Sequence, residues 1–248
     1  MATATAIVVE KVVLVTGSTS GIGEATALRF ARSGDRVVFN SKRSVEAGER
    51  LAAATPNSLY VQADIARAED CTRLVAAVRE HYGRLDVLVN NAGTTKVIPH
   101  ADLEAASLHV WREIFEVNVF GTWSLCVAAM EALRASHGAI VNVSSMAGLR
   151  PLGSSIPYAA SKAAVNHMTA LLAKVVGPEV RVNAVAPGLI DTPWTVDWDT
   201  VRGFVNAAAP LKRSGSPEDV ADVIVALASS SYVTGQVVVI DGGLSLTT

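Results

Sequence analysis

Tyr158 and Lys162 stand four residues apart in a segment of helical periodicity, which puts both side chains on one helix face, a turn apart. A phenol is a poor acid–base group at its ordinary pKa of about 10, and a neighbouring ammonium favours the phenolate and draws it toward working pH. So placed, the pair can exchange a proton with a substrate oxygen. By itself the Tyr-x-x-x-Lys spacing is common on helices and carries no function. Here Ser145 precedes Tyr158 by thirteen residues and follows the apolar run Ile140–Val143. One loop can therefore return the helix start to the carboxyl end of a sheet, where open α/β folds bind ligands. A serine hydroxyl at that point can hydrogen-bond a carbonyl oxygen.

The second signal is Thr16-Gly17-Ser18-Thr19-Ser20-Gly21-Ile22-Gly23, set between an apolar strand-like run and an amphipathic helical one. Glycines let the backbone turn sharply and approach a pyrophosphate, whose charge sits at the free N–H groups and positive dipole end of the next helix. The pattern T-G-x-x-x-G-x-G has one residue more between its first two glycines than the G-x-G-x-x-G fingerprint. A tight turn alone would need glycines too; the flanking strand and helix make the dinucleotide reading. Gly17, Ser18, Ser20, Gly21, Ile22 and Gly23 are thus candidate phosphate-side residues. The next apolar run ends Val37-Val38-Phe39-Asn40 and continues Ser41-Lys42-Arg43. A carboxylate there would accept from a ribose 2′-OH and repel a 2′-phosphate, and none is present. A hydroxyl and two cations can bind that phosphate, so NADP(H) is expected over NAD(H). The alternative is that Lys42 and Arg43 only solvate a loop and a helix start.

These residues need a scaffold, and the hydrophobic period supplies one. Seven short apolar runs read as strands: Val12–Thr16, Arg36–Asn40, Ser58–Gln62, Asp86–Val89, Ala139–Val143, Arg181–Val185 and Val237–Ile240. Their near-continuous apolar character suits a parallel sheet covered on both faces. Amphipathic stretches between them read as helices over Ile22–Ser33, Val45–Ala54, Ala68–His81, Leu108–Leu133, Tyr158–Val176 and Pro217–Ser229. Neither a linker nor an internal repeat divides the chain. The expectation is an α/β fold: a single doubly wound Rossmann domain spanning residues 1–248, with about seven parallel strands and helices on both faces.

Composition narrows the function classes. The chain has 248 residues, 50% of them hydrophobic and 18% charged, which excludes intrinsic disorder. Its 21 Lys and Arg against 23 Asp and Glu give a net charge of −2, without the positive excess on which nucleic-acid binding rests. Met1 to Lys11 show no basic region followed by an apolar export segment, and no run reaches a membrane span, so a cytoplasmic protein is expected. Cys71 and Cys126 form no C-x-x-C pair and read as small buried apolar residues. The five histidines (His81, His100, His109, His137 and His167) make no ligand cluster; they read as surface or helix-terminal residues, and no metal is expected.

Thr16–Gly23, Asp64, Asn90-Asn91-Ala92-Gly93, Asn118, Ser145, Tyr158, Lys162, Pro187-Gly188, Thr192 and Asp241-Gly242-Gly243 occur in one order along the whole chain. In this the chain resembles the short-chain dehydrogenases/reductases, in particular members like the 3-oxoacyl-carrier-protein reductases. The resemblance implies reversible hydride transfer between a nicotinamide and a carbonyl carbon. Tyr158 would give or take the proton, Lys162 would lower its pKa and hold the nicotinamide ribose, Ser145 would orient the carbonyl, and Asn118 would keep a water-linked proton relay. Asp64, Ile65 and Asn90 would lie toward the adenosine. Asn91, Ala92, Gly93, Pro187, Gly188, Ile190 and Thr192 would lie along the cofactor, the last two flanking the nicotinamide. Residues 189–213 would form a short substrate lid. In that lid Trp194 and Trp198, with Phe204, could line a pocket for a bulky apolar or aromatic ketone, helped by Ile98, Leu149, Leu152 and Ile156, or they could simply pack the lid down. Three readings stay open: an NADPH-dependent carbonyl reductase, a 3-oxoacyl-carrier-protein reductase, and a cofactor-binding sensor without turnover. Apolar residues on more than one face of the long helices, such as Val165, Met168, Leu171, Leu172 and Val175, call for a partner, and a homotetramer or homodimer is expected.

Overall fold

The computed structural model describes residues 10–247; the start of the stretch read for an export signal, Met1–Val9, lies outside them. Seven strands form one parallel sheet: β1 (Val12–Val15), β2 (Arg36–Ser41), β3 (Ser58–Gln62), β4 (Val87–Asn90), β5 (Ala139–Val143), β6 (Arg181–Pro187) and β7 (Val237–Ile240). Their order is β3-β2-β1-β4-β5-β6-β7, so the chain reverses its direction of winding between β1 and β4. Crevices at such a switch point, beyond the carboxyl ends of the strands, are where doubly wound sheets bind ligands.

Successive strand residues point to opposite faces, and each face has its own core. Val12, Leu14, Leu88, Ile140 and Val182 pack with Leu74 and Val78 of α3 (Ala68–Tyr82), Leu125 and Leu133 of α5 (Thr122–Ser136) and Leu172 and Val176 of α6 (Ile156–Val176). Val13, Val15, Val37, Phe39 and Val141 pack with Ala27 and Phe30 of α1 (Gly21–Arg32) and Val220 and Ile224 of α8 (Pro217–Ser229). Helix α2 (Val45–Ala54) adds Leu51 to this second face. Cys71 and Cys126 are buried on the first face, and burial pushes their thiols up to about 11 and about 12, so both are neutral packing groups.

Two helical expectations need correction. The helix read over Leu108–Leu133 is α4 (Leu108–Phe115), a π-helical turn over Glu116–Gly121, and α5. A π turn admits an extra residue, and here it carries Asn118 inward, where the side chain ties down the Thr94 segment. A further helix, α7 (Asp199–Ala208), stands where only a lid was expected. The other elements differ from expectation at their ends: α6 starts at Ile156, capped by Ser155, whose hydroxyl accepts from the Tyr158 N–H at 3.4 Å.

A buried polar chain crosses the first face. Asn90 Nδ2 on β4 donates to Asn142 Oδ1 on β5 at 2.9 Å, and Asn142 Nδ2 donates to Thr169 Oγ1 on α6 at 2.9 Å. Replacing the middle member leaves polar groups of both neighbours unpaired in the interior, which costs about 1–3 kcal/mol. Asn142→Leu should therefore lower the unfolding free energy by that amount, read as a lower urea midpoint at an unchanged slope. A loss below about 0.5 kcal/mol would show that the chain does not fasten α6 to the sheet.

Candidate active site

Beyond the carboxyl ends of β1, β4, β5 and β6 lies a cavity of about 1210 Å³. One end is the glycine-rich turn between β1 and α1. The Asn91 side-chain amide donates to the carbonyls of Thr16 (2.8 Å) and Gly17 (3.0 Å), and the Thr16 hydroxyl accepts from the N–H groups of Asn91 and Ala92, each at 3.0 Å. The turn is thus bound to the β4 loop on both sides. A Cβ on Gly23 would lie 2.4 Å from both the Gly17 carbonyl oxygen and the Asn91 amide, so only glycine lets α1 start this close to the turn. Gly17 has φ +59°, and a Cβ there would meet the Ala92 Cα at 2.9 Å.

Gly17, Ser20, Gly21 and Ile22 line the cavity, as do Ser41, Lys42, Arg43, Asp64, Ile65, Asn91, Ala92, Gly93, Pro187, Gly188, Ile190 and Thr192. Three expected residues do not. Ser18 is buried with its hydroxyl accepting from the Asn40 N–H at 2.9 Å, Gly23 is packed behind the turn, and Asn90 belongs to the interior polar chain. Their polarity or smallness builds the turn and the sheet. At the β2 end, Ser41 bonds to the Tyr60 hydroxyl (2.9 Å) and Lys42 pairs with Asp64 (2.7 Å), while Arg43 makes no ion pair among the described residues. The asparagine at the end of β2, Asn40, was missed; its buried side chain braces Val61 and Ala63 and faces the Gly17 N–H at 3.4 Å.

At the middle of the cavity stand Ser145, Tyr158 and Lys162. Ser145 opens a short 3₁₀ turn (Met146–Gly148) after β5, and its hydroxyl accepts from the Ala147 N–H at 3.2 Å. Tyr158 lies in the first turn of α6. Lys162, only 5% exposed, donates from Nζ to the Val143 carbonyl at 2.8 Å, with Nζ 5.8 Å from the Tyr158 ring centroid. Burial holds the lysine down to about 8. Burial also pushes the Tyr158 phenol up, and the Ser145 hydroxyl opposes that rise. The lysine's hydrogen bond thus runs to a carbonyl of β5, with its charge beside the phenol ring. Asn118 stands just behind the wall: its amide accepts from Thr94 N–H (2.8 Å) and donates to the Thr94 carbonyl and the Ser161 hydroxyl, each at 3.0 Å.

The far end is apolar. Trp194 sits in a 3₁₀ turn (Pro193–Thr195) and Trp198 precedes α7, and both line the cavity with Phe204. Ile98 and Leu152 face them; Leu149 and Ile156 are exposed elsewhere. His100 was read as a surface residue but lines this end, with Nε2 buried and without a hydrogen-bond partner.

The arrangement joins a glycine turn that fits a pyrophosphate to a tyrosine, serine and lysine that can handle a proton at an oxygen. Comparison with known proteins agrees. A family model described as enoyl-(acyl carrier protein) reductase matches residues 17–245. The chain is 58% identical, over 95% of its length and 96% of the relative's, to "Granaticin polyketide synthase putative ketoacyl reductase 2" of Streptomyces violaceoruber. It is 42% identical, over 94% of its length and 97% of the relative's, to the 3-oxoacyl-(acyl-carrier-protein) reductase FabG of Thermotoga maritima. Among solved structures it is similar to a short-chain dehydrogenase/reductase described as glucose/ribitol dehydrogenase from Brucella melitensis, with TM-score 0.89 and 33% identity over 94% of this chain and 96% of that one. The chain therefore belongs to the short-chain dehydrogenase/reductase family, as an oxidoreductase of the CH–OH/C=O group.

Proposed function

We propose that the protein is an NADPH-dependent carbonyl reductase in which Tyr158 is the general acid. The observation that carries this reading is one cavity holding the glycine turn, Arg43 and the Ser145–Tyr158–Lys162 group. When bound, the nicotinamide supplies the hydride; the chain's own residues do the rest. The turn from Gly17 to Ile22, braced by Asn91, would receive the pyrophosphate at the N-terminus of α1. Arg43 would take a 2′-phosphate, since Lys42 is already paired with Asp64. Ser145 donates a hydrogen bond to the substrate carbonyl oxygen, Tyr158 protonates that oxygen as it becomes an alkoxide, and Lys162 offers a cation beside both. Asn118 keeps the Thr94 segment and Ser161 in register behind Lys162 and would hold a water on the path by which Tyr158 regains its proton.

On this reading residues 10–247 work as one Rossmann-type unit and 189–213 as its lid, in a cytoplasmic protein acting on a small molecule. Leu171 and Val175 of α6, with Phe120, Trp123 and Val127 around α5, are exposed, while Val165 and Leu172 are buried. Two such faces meeting would make a homodimer, and a second contact a homotetramer. The relatives named as ketoacyl reductases favour a 3-oxoacyl thioester as a second substrate reading.

Three outcomes are expected. NADPH oxidation over a panel of a 3-oxoacyl thioester, aliphatic and aryl ketones and a quinone should show turnover that Tyr158→Phe lowers by about 10²–10⁴-fold without weakening NADPH binding. Full activity of that variant would overturn the assignment. Arg43→Ala should raise KM for NADPH about tenfold or more and leave KM for NADH unchanged, as expected for one lost charge-assisted contact. Because the folded Lys162 titrates near 8 and an unfolded lysine at 10.5, the unfolded chain holds that proton more tightly. Stability should then rise with pH between those values as the burial penalty fades. In thermal denaturation the wild type should gain on Lys162→Met across that window and run parallel to it below pH 8. Parallel curves throughout would mean the ammonium is solvated.

A further inference from the structure

We infer that the substrate is an uncharged ketone with a flat aromatic body, gripped by Trp194; this rests on the carbonyl-reductase reading above. Trp194 meets the Tyr158 ring edge-on, with centroids 6.4 Å apart and planes at 72°. Its indole is nevertheless 49% exposed, on the cavity side, where Trp198 and Phe204 continue the same wall. Of the chain's four tryptophans, two thus stand within five residues on this short stretch. An aromatic ring placed beside the half-covered indole gains edge-to-face or offset stacking on top of apolar burial, which an alkyl chain cannot match.

The stretch is also fixed in place. Arg202 donates from Nε to Asp191 (2.9 Å), from one terminal nitrogen to Asp199 (2.9 Å) and from the other to the Thr195 carbonyl (3.1 Å). The Thr195 hydroxyl donates to the Ile190 carbonyl at 2.6 Å. The backbone that carries the indole is therefore braced before any ligand arrives, which lowers the entropy lost on binding. Charge selects in the same direction. The lysines and arginines lining the cavity are Lys42, Arg43 and Lys162, all at the glycine-turn end or centre. The aromatic end presents Asp197, which makes no ion pair among the described residues, and the imidazole of His100, so a carboxylate or phosphate on the substrate would meet no lysine or arginine there. This end favours a neutral ketone over an anionic carrier arm.

The test compares wild type, Trp194→Ala and Trp194→Phe with 2-tetralone, a fused-ring ketone, and ethyl acetoacetate, a linear one, in NADPH oxidation. Trp194→Ala should cut kcat/KM for 2-tetralone about tenfold or more and for ethyl acetoacetate less than about threefold, with Trp194→Phe restoring most of the loss. Equal losses for both ketones would overturn the inference, since they would mean that the indole merely props Tyr158. A binding arm is independent of turnover: by calorimetry with NADP⁺ present, 2-naphthol should bind the wild type about tenfold or more tighter than Trp194→Ala. Equal affinities would also overturn it. If no ketone in either class were reduced while naphthol still discriminated the variants, the aromatic grip would stand and the carbonyl-reductase reading would fall.

Discussion

Helix α6 and the carboxyl end of strand β5 exchange hydrogen bonds at Lys162, and the site is organised around that exchange. Lys162 donates its ammonium to the Val143 carbonyl, and the Ser144 hydroxyl donates to the Lys162 carbonyl at 3.2 Å. A buried cation is tolerable only with a partner, so the bond fixes where the helix begins relative to the sheet. Gly148 permits it: a Cβ there would lie 2.7 Å from the Lys162 carbonyl carbon. Once α6 is seated, Tyr158 one turn earlier faces Ser145, and Trp194 meets the tyrosine ring from the other side. The interior Asn90–Asn142–Thr169 chain holds the same helix farther along, so α6 is pinned at two depths.

The scaffold was legible because parallel strands buried on both faces must be apolar throughout, as in Val12–Val15 and Val87–Val89, and that signal is local. The glycine turn and the Tyr158–Lys162 spacing were legible for the same reason. Where reading failed, the deciding contact lay far along the chain. Ser18 looked like a phosphate ligand, yet it serves Asn40, 22 residues on. The π turn follows from what Asn118 must reach, Thr94 and Ser161, and helical periodicity does not register such a demand. Helix α7 stands apart from the two sheet faces: its one buried residue, Val205, packs in a small separate core with Met146, Ala209 and Leu244, which distant segments bring together.

Electrostatics followed a similar rule. Burial moves the Tyr158 phenol up and the Lys162 ammonium down, and the Ser145 hydroxyl opposes the first of these shifts. At the other end of the cavity Lys42 is paired with Asp64, while Arg43 makes no ion pair among the described residues.

The widened turn at Glu116–Gly121 has a consequence for how this chain can change length. One surplus residue is stored there, so deleting a residue within it would restore regular α-helical winding with α4 and α5 kept near their present faces, and would remove the wide turn that carries Asn118 inward. Gly121, pressed against the Ile65 carbonyl where a Cβ would come within 2.7 Å, blocks slippage past that point. Insertions and deletions in this helix are thus coupled to the Asn118 contact in a way that substitutions on its outer face are not.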